Sequence, residues 1–324
     1  MGTSDGAFYR RGTVPVRLDL PAGTTRYVEG YSASCVLLDT GAVWCAGDNS
    51  YGQLGVGGYA GFPASRATFA PTLGAADAVE LWGGGTAFCL RRRSGVVSCW
   101  GLNNRGQLGL RSTVCDTRAT TYCRTSPTDS PQFINARHIT FGTTYAQVCA
   151  VSAAGAVLCT DQGETARTLI PSGASSVEAG SSHLCALMAD GTVRCWGLGV
   201  DGQLGNGGTM SAFDTPVTVS GITTAVQIMA GNNHACARLT DGTMRCWGYN
   251  GDGALGDGTI DRRSSPVAVV GLTGVDLLAR SVLASHTCAR RTDGSVWCWG
   301  SNGFGQLGDG TTNNNRFSPV AMRF

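Results

Sequence analysis

Short stretches of alternating apolar and polar residues recur along the chain, separated by turn-forming residues. In CARLTDGTMRC, from Cys236 to Cys246, the alternation runs on both sides of a glycine six positions after the first cysteine. Such alternation is typical of half-buried β-strands, and this spacing predicts a hairpin whose three-residue loop ends in a left-handed glycine. Five more hairpins follow the same pattern, at Gly41, Gly95, Gly155, Gly191 and Gly294.

Each hairpin lies inside a longer repeat. An apolar strand such as Ala225 to Met229 comes before it, and a Pro-Val strand such as Ser265 to Val270 comes after a glycine-rich loop. Four short strands cannot bury both faces of their own sheet, so neighbouring units must stack. The repeat length is in the range of propeller blades. The pattern therefore predicts an all-β protein, a single β-propeller of four-stranded antiparallel blades, with six blades preferred and seven as the alternative.

The cysteines follow the hairpins. Twelve of the fourteen form pairs ten positions apart: Cys35 and Cys45, Cys89 and Cys99, Cys149 and Cys159, Cys185 and Cys195, Cys236 and Cys246, Cys288 and Cys298. This is not a zinc spacing. The hairpin register places each pair on facing, non-hydrogen-bonded positions with Cα atoms about 4.5 Å apart. We expect one cross-strand disulfide per blade, with Cys115 to Cys123 as a seventh; buried reduced cysteines are the alternative.

Paired cysteines favour an oxidising compartment, so we expect an extracellular or periplasmic protein whose leader is absent from this chain. The 24 basic residues are all Arg, which excludes a Walker loop or a Schiff-base lysine. A net charge of +2 argues against nucleic acid as a partner. The apolar runs are too short to cross a bilayer, so we expect no membrane insertion.

The fullest repeat, ASHTCARRTDGSVWCWGSNGFGQLGDGT, extends from Ala284 to Thr311. Its H-x-C-A, D-G, C-W-G and G-Q-L-G segments resemble the repeat of the regulator of chromosome condensation family. The resemblance covers about residues 26 to 324 and implies a β-propeller, commonly of seven blades. It also implies three precedents for function: nucleotide exchange on a small GTPase at chromatin, inhibition of secreted β-lactamases, and light sensing in plants. The cysteine pairs, a third copy without the Trp-Gly and Gly-Gln-Leu-Gly segments, and the count of six depart from the family pattern.

The repeats define the expected domain organisation. We predict one propeller domain over residues 1–324, with blades near 26–73, 78–134, 137–171, 176–219, 225–270 and 275–321. The stretch from Leu110 to Pro131 is expected to be a loop. Residues 1–25 resemble the tail of a unit and would help to close the ring, although this spare strand could instead pair with a neighbouring subunit.

Several repeated residues have both a structural and a chemical interpretation. His183, His234 and His286 share one repeat position, where inter-blade hydrogen bonds are favoured over a metal-binding ring; the solitary His138 is expected to be structural. The aspartates before the hairpin glycine, Asp190, Asp241 and Asp293, are expected to be turn residues. The tryptophans after the second cysteine, Trp100, Trp196, Trp247 and Trp299, should fill the space between blades.

Carboxylates on the expected innermost strands, Glu29, Glu80 and Glu178, could support acid–base chemistry, but no nucleophile accompanies them. Arg91 to Arg93, and Arg290 with Arg291, are expected to form solvated positive spots.

Residues that vary between copies are better candidates for recognition. In each complete repeat, four residues lie between the glycine two positions after the second cysteine and the Gly-Gln-Leu-Gly or Gly-Ala-Leu-Gly segment. These residues should form one propeller face. We select Tyr51, Arg105, Asp201, Tyr249, Asp252 and Phe304 as a protein-binding set, because aromatic residues with interspersed charge suit protein recognition. Ordinary loop variation is the alternative.

Together these features predict a non-catalytic extracellular module that binds a protein or peptide, without a cofactor or metal; inhibition is the narrower form of this prediction. The first alternative is a secreted hydrolase or lyase with its site at the channel mouth. The second is a structural subunit that self-assembles by exchange of its end strands.

Overall fold

The computed structural model describes residues 19–58, 64–115, 121–142, 147–160, 165–279 and 284–323. Within these residues the chain forms six antiparallel sheets of four strands each, together with one short 3-10 helix, Pro131–Phe133. In every sheet the strands pair in the order in which they follow one another along the chain.

The strands of the first three sheets are as follows. Sheet 1 contains β1 (Thr24–Glu29), β2 (Ala33–Leu38), β3 (Val43–Asp48) and β4 (Ser65–Pro71); sheet 2 contains β5 (Ala78–Gly84), β6 (Ala87–Arg92), β7 (Val97–Leu102) and β8 (Cys123–Asp129); sheet 3 contains β9 (His138–Phe141), β10 (Val148–Val151), β11 (Val157–Thr160) and β12 (Arg167–Ile170).

The remaining strands form three sheets of the same order. Sheet 4 contains β13 (Ala174–Ala179), β14 (His183–Met188), β15 (Val193–Gly197) and β16 (Ala212–Thr218); sheet 5 contains β17 (Ala225–Ala230), β18 (His234–Leu239), β19 (Met244–Gly248) and β20 (Arg263–Ala268); sheet 6 contains β21 (Val275–Leu278), β22 (His286–Arg291), β23 (Val296–Gly300) and β24 (Arg316–Ala321).

The second and third strands of each sheet form the predicted hairpin. In sheet 5, Leu239 N–H donates to Thr243 O (2.9 Å), and Gly242 adopts the expected left-handed conformation with φ of 75°. We call this end of a sheet the hairpin end. The opposite end, where β18 begins at His234 opposite Gly248, carries the long connection from the third to the fourth strand. We call it the loop end.

The predicted disulfides are all present, and every cysteine is paired. The six hairpin disulfides join directly opposed residues such as Cys236 and Cys246, with Cα atoms 4.1 Å apart. This distance agrees with the non-hydrogen-bonded position expected from the register. The seventh disulfide joins Cys115 to Cys123, whose Cα atoms are 5.5 Å apart.

The hydrophobic core lies between consecutive sheets. One buried cluster combines Met229 and Met244 of sheet 5 with Val275 and Trp299 of sheet 6, and Leu255 from the intervening loop joins it. Each sheet therefore buries its faces against its neighbours, as the repeat requires.

One prediction about the second sheet was wrong in part. The stretch from Leu110 to Pro131 is not entirely a loop, because β8 (Cys123–Asp129) lies within it and completes the sheet. Most residues of β8 are partly exposed, and the strand follows the edge of the sheet, so its sequence carries little apolar alternation. The fourth strands of sheets 4 and 5 also begin two to three residues earlier than predicted, at Ala212 and Arg263.

The chain divides into two compact units. The first unit holds sheets 1 and 2, β9 to β11 and the start of β12; the second holds the rest of β12 and sheets 4 to 6. Residues 1–18, which include most of the predicted closing strand, lie outside the described residues. The single-domain organisation and the closing role of residues 1–25 remain predictions.

Candidate functional site

The loop that follows the third strand is held by a buried asparagine. Asn250 is fully buried, and its Oδ1 accepts a hydrogen bond from Leu255 N–H (3.0 Å). Asn49, Asn103 and Asn302 make the same bond to the leucine five residues on. Only three of the four loop positions are therefore free to vary. The sequence contained this signal, since asparagine occupies the second position in four of the five complete copies.

The glutamine of Gly-Gln-Leu-Gly also braces the loop. Gln203 Oε1 accepts a hydrogen bond from Asp201 N–H (2.8 Å), and Gln306 Oε1 accepts one from Phe304 N–H (2.8 Å). These bonds engage only the backbone of the fourth loop position. The side chain there is left outside the loop, and 58% of Phe304 is exposed.

The loops of sheets 4 and 5 dock on the fourth strand of the next sheet. Gly258 N–H donates to Phe317 O in β24 (2.9 Å), and Gly207 N–H donates to Ser264 O in β20 (2.8 Å). Gly253 approaches β24 so closely that a Cβ atom would lie 2.9 Å from the Cα of Phe317, and its φ is 80°. Any side chain at Gly253 would separate the two sheets. The loop ends of sheets 4, 5 and 6 therefore lie on the same side of the second unit.

Five of the ten exposed large apolar side chains in the described part of the second unit lie on these three loops. They comprise Val200 and Met210 after β15, Tyr249 and Ile260 after β19, and Phe304 after β23. We call these five residues the apolar patch. Met210 is 85% exposed, which is unusual for a large apolar side chain. Grouped exposure of this kind marks interaction surfaces more often than scattered single residues do.

The structure places the six predicted binding residues in two groups. Asp201, Tyr249, Asp252 and Phe304 lie at the loop end of the second unit, and Tyr51 and Arg105 lie at the loop end of the first. A joint face of all six remains a prediction. Sequence reasoning missed Met210 and Ile260, because they are single apolar residues in connections of differing length.

Two of the predicted charged residues are engaged in local contacts. Asp201 pairs with Arg262 (2.9 Å), whose side chain is largely exposed. Asp252 Oδ1 accepts a hydrogen bond from Asn315 Nδ2 (3.2 Å), which comes from the loop of sheet 6. These carboxylates border the apolar patch and orient the loops.

The repeated aspartates are turn residues, as predicted. Asp241 Oδ1 accepts hydrogen bonds from Thr243 N–H (2.9 Å) and Thr243 Oγ1 (2.7 Å), and these bonds lower the pKa of the exposed carboxyl group. Asp190 makes the same two bonds with Thr192. Both carboxylates stabilise the hairpin loop, so they are not free for catalysis.

The repeated tryptophans lie between sheets, as predicted. Trp247 Nε1 donates to Gln203 O of the preceding sheet (2.9 Å), and Trp100 Nε1 donates to Gln53 O (2.8 Å). Trp196 is equally buried, but its Nε1 has no acceptor among the described residues. In sequence, the third repeat has no Gly-Gln-Leu-Gly segment to supply one.

The histidines behave unequally. His234 Nε2 lies 2.9 Å from Thr287 Oγ1 of the next sheet, which confirms an inter-blade hydrogen bond at this position. His183 is fully buried, and its ring faces the backbone of His234, but neither ring nitrogen reaches a partner in hydrogen-bonding geometry within the described residues. Burial lowers the pKa of His183 to about 4 and that of His234 to about 3.

The glutamates on first strands have different local surroundings. Glu80 pairs with Arg26 of the neighbouring sheet at 2.5 Å, and Glu29 and Glu178 occupy different register positions, opposite Ser34 and Cys185. Within the described parts of the chain, no three His, Cys, Asp or Glu side chains are grouped to hold a metal ion. No helix among those residues is long and apolar enough to cross a membrane.

Comparison with protein families identifies the repeat. Models of the regulator of chromosome condensation (RCC1) repeat match residues 30–53, 174–203, 225–254 and 284–306, and a second model of that repeat matches residues 190–238. The human E3 ubiquitin-protein ligase HERC2 is 35% identical over 136 residues, which are 41% of this chain and 3% of HERC2. The ultraviolet-B receptor UVR8 of Arabidopsis thaliana is 32% identical over 142 residues, which are 43% of this chain and 32% of UVR8. The chain thus spans less than a third of either relative.

Solved structures extend the similarity to the whole chain. Prp20p of Saccharomyces cerevisiae matches with a TM-score of 0.79 at 18% identity, over 100% of this chain and 85% of that one. Human WBSCR16 matches with a TM-score of 0.80 at 20% identity, over 96% and 85%. These likenesses show the fold, and the six sheets are the blades of an all-β propeller with a disulfide in each. The chain therefore carries RCC1 repeats over the matched residues, and its fold is that of the RCC1-type β-propellers.

Proposed function

We propose that this propeller is an extracellular, non-catalytic module that binds a protein or peptide through the loop ends of its blades. The apolar patch is the observation that carries the proposal. Its five side chains come from three consecutive blades. Their loops are braced by Gln203 in sheet 4, by Asn250 in sheet 5, and by Asn302 with Gln306 in sheet 6. A rigid scaffold that presents apolar side chains is well suited to recognition, because little entropy is lost on binding.

The polar residues around the patch favour a protein partner. Asp201, Arg262 and Asp252 form a charged border beside apolar side chains, which is the composition of a protein interface with an apolar centre and a polar rim. The carboxylates that could have served an enzyme are engaged elsewhere: Glu80 is in an ion pair, and Asp241 is in a turn.

Relatives of the same fold bind proteins. Prp20p binds Gsp1p and histones, and a further structure holds yeast Prp20 together with Kap60. We extend only the protein-binding mode to this chain. Its near-neutral charge does not favour nucleic acid as a partner.

The disulfides support an extracellular or periplasmic location. Fourteen cysteines form seven disulfides and leave no free thiol, a state that persists in oxidising compartments. We therefore expect the binding partner to lie in the same compartment. The narrower form of the proposal is that the protein inhibits a secreted enzyme.

The test compares two double variants. Tyr249→Ala with Phe304→Ala removes exposed aromatic area at the loop end. Val226→Ala with Leu277→Ala removes apolar groups of comparable exposure from first strands near the hairpin end, and serves as the matched control. Each purified protein is used to capture partners from the secreted fraction of the source organism, and recovery is measured by quantitative mass spectrometry.

We expect the loop-end variant to recover at least tenfold less of each specific partner than the unaltered protein does. The control variant should recover as much as the unaltered protein. Equal recovery by both variants would show that the patch is not the binding face. Thiol labelling of the protein from its natural source tests the location, and labelling of several cysteines before reduction would contradict it.

A further inference from the structure

The contact between sheets 5 and 6 contains a buried hydrogen-bonded chain. Thr287 Oγ1 donates to Ala254 O (2.9 Å), and His234 Nε2 lies 2.9 Å from the same hydroxyl. Because the hydroxyl proton is given to the carbonyl, Thr287 must accept the Nε2 proton of His234. Ala254 O also accepts a hydrogen bond from Trp299 Nε1 (2.9 Å).

Sheets 4 and 5 repeat this contact with one difference. The rings of His183 and His234 take the same orientation, since a Cβ atom at Gly180 would lie 2.4 Å from Cε1 of His183, and one at Gly231 would lie 2.3 Å from Cε1 of His234. Gln203 O occupies the place of Ala254 O and accepts a hydrogen bond from Trp247 Nε1 (2.9 Å). The residue at the position of Thr287 is Ala235, which is fully buried and has no hydroxyl group.

This difference leaves two hydrogen-bonding groups to be satisfied. His183 is fully buried, and its ring lies against the backbone of His234, but neither of its nitrogens meets a partner in hydrogen-bonding geometry among the described residues. Gln203 O accepts a hydrogen bond from Trp247 Nε1, whereas Ala254 O accepts bonds from both Thr287 Oγ1 and Trp299 Nε1. A buried imidazole N–H without a partner costs about 1 to 3 kcal/mol, so such groups are normally paired by protein or by ordered water.

We propose that one structural water molecule binds between sheets 4 and 5, at the position equivalent to the Thr287 hydroxyl group. It accepts a hydrogen bond from His183 Nε2 and donates one to Gln203 O. Alanine is smaller than threonine by a hydroxyl and a methyl group, which provides the room, and two polar partners are the minimum for a buried water. The inference is independent of the proposed function, because it concerns the contact between sheets beneath the loops.

The direct test is a high-resolution crystal structure of the unaltered protein. We expect an electron-density peak between about 2.7 and 3.2 Å from both His183 Nε2 and Gln203 O. Absence of a peak at that position in well-defined density would overturn the proposal.

The second test uses side chains that differ only in the hydroxyl group. Ala235→Thr supplies the hydroxyl that displaces the water, whereas Ala235→Val has the same shape without it. We expect Ala235→Thr to melt higher than Ala235→Val by about 2 to 4 °C. Thr287→Val is the matched control in the next blade and should lower the melting temperature by a similar amount.

Equal melting temperatures for Ala235→Thr and Ala235→Val, with Thr287→Val destabilised, would also overturn the proposal. If both substitutions at 235 prevent folding, Ala235→Ser replaces them in the crystallographic test. Its Oγ should then occupy the water position.

Discussion

Acidification from pH 7 to pH 4.5 should destabilise the second unit, because its buried imidazole groups are neutral in the folded protein. Burial lowers the pKa of His286 to about 4, and His183 and His234 are affected in the same way. Burial lowers the pKa of His183 to about 4 and the pKa of His234 to about 3, from an ordinary value of 6.5. The nearby charges of His183 and His286 lower the pKa of His234 further. Unfolding releases all three rings into water, where they take up protons more readily.

The sign and size follow from proton linkage. At pH values between the lowered pKa values of the folded protein and the ordinary histidine pKa of 6.5, the unfolded chain binds more protons than the folded chain. The free energy of unfolding therefore falls as the pH falls below 6.5. One pKa unit corresponds to about 1.4 kcal/mol. Between pH 6.5 and pH 4.5, His183 and His234 together should lower the free energy of unfolding by about 5 kcal/mol, and His286 should lower it further. Asp257, whose pKa is lowered by hydrogen bonds that outweigh its desolvation, should add its own loss only below about pH 4.

The assay is urea denaturation at pH 7.5, 6.5, 5.5 and 4.5, followed by tryptophan fluorescence. Combining His183→Gln, His234→Gln and His286→Gln removes the three titrating imidazole groups and retains an amide donor at each position. This variant should be less stable at pH 7.5, and its stability should change little down to pH 4.5. Asp241→Asn is the control, since the lowered pKa of Asp241 places its titration below this range. A pH dependence in the histidine variant as steep as in the unaltered protein would refute the reasoning.

Two further substitutions test contacts that the repeat maintains. Replacing Cys236 and Cys246 with alanine should lower the free energy of unfolding by about 2 to 3 kcal/mol, the loop-closure value for a ten-residue separation, and an unchanged urea midpoint would contradict this. Trp247→Phe should cost about 1 to 3 kcal/mol more than Trp196→Phe in the same denaturation assay, because only Trp247 Nε1 has an acceptor, Gln203 O, among the described residues. Equal losses from the two tryptophan substitutions would show that the indole hydrogen bond is unimportant.

The fold could be predicted because its strongest determinants are local and repeated. The ten-residue cysteine spacing and the glycine inside it determine the hairpin register, and the register determines which cysteines face each other. Cys236 and Cys246 could therefore be paired without knowledge of the tertiary structure. The fourth strand of sheet 2 could not be located in the same way. It lies at a sheet edge, where polar residues are tolerated and alternation is weak.

The candidate site was less predictable, because exposure depends on the length and path of each loop. The sequence pointed to Tyr249 and Phe304 as residues at one variable position of the repeat. It gave no reason to select Met210 or Ile260, which become neighbours of that surface only after the loops dock on the next sheet. The sequence also did not show that His183 would lack a hydroxyl partner, because the residue at the partner position, Ala235, lies in a different repeat.

The bracing of the loops explains how one surface can vary while the fold is retained. Asn250 and its equivalents engage a leucine backbone, and Gln203 and its equivalents engage the backbone of the fourth loop position. Neither bond uses the side chain at that fourth position, where this chain carries Tyr51, Arg105, Asp201, Asp252 and Phe304. An aromatic, a basic and an acidic residue are therefore tolerated at one geometric position at little cost to stability. Because the fold does not determine these side chains, they are free to be selected for binding. This is why we propose recognition at the loop ends and not at the repeated contacts between sheets.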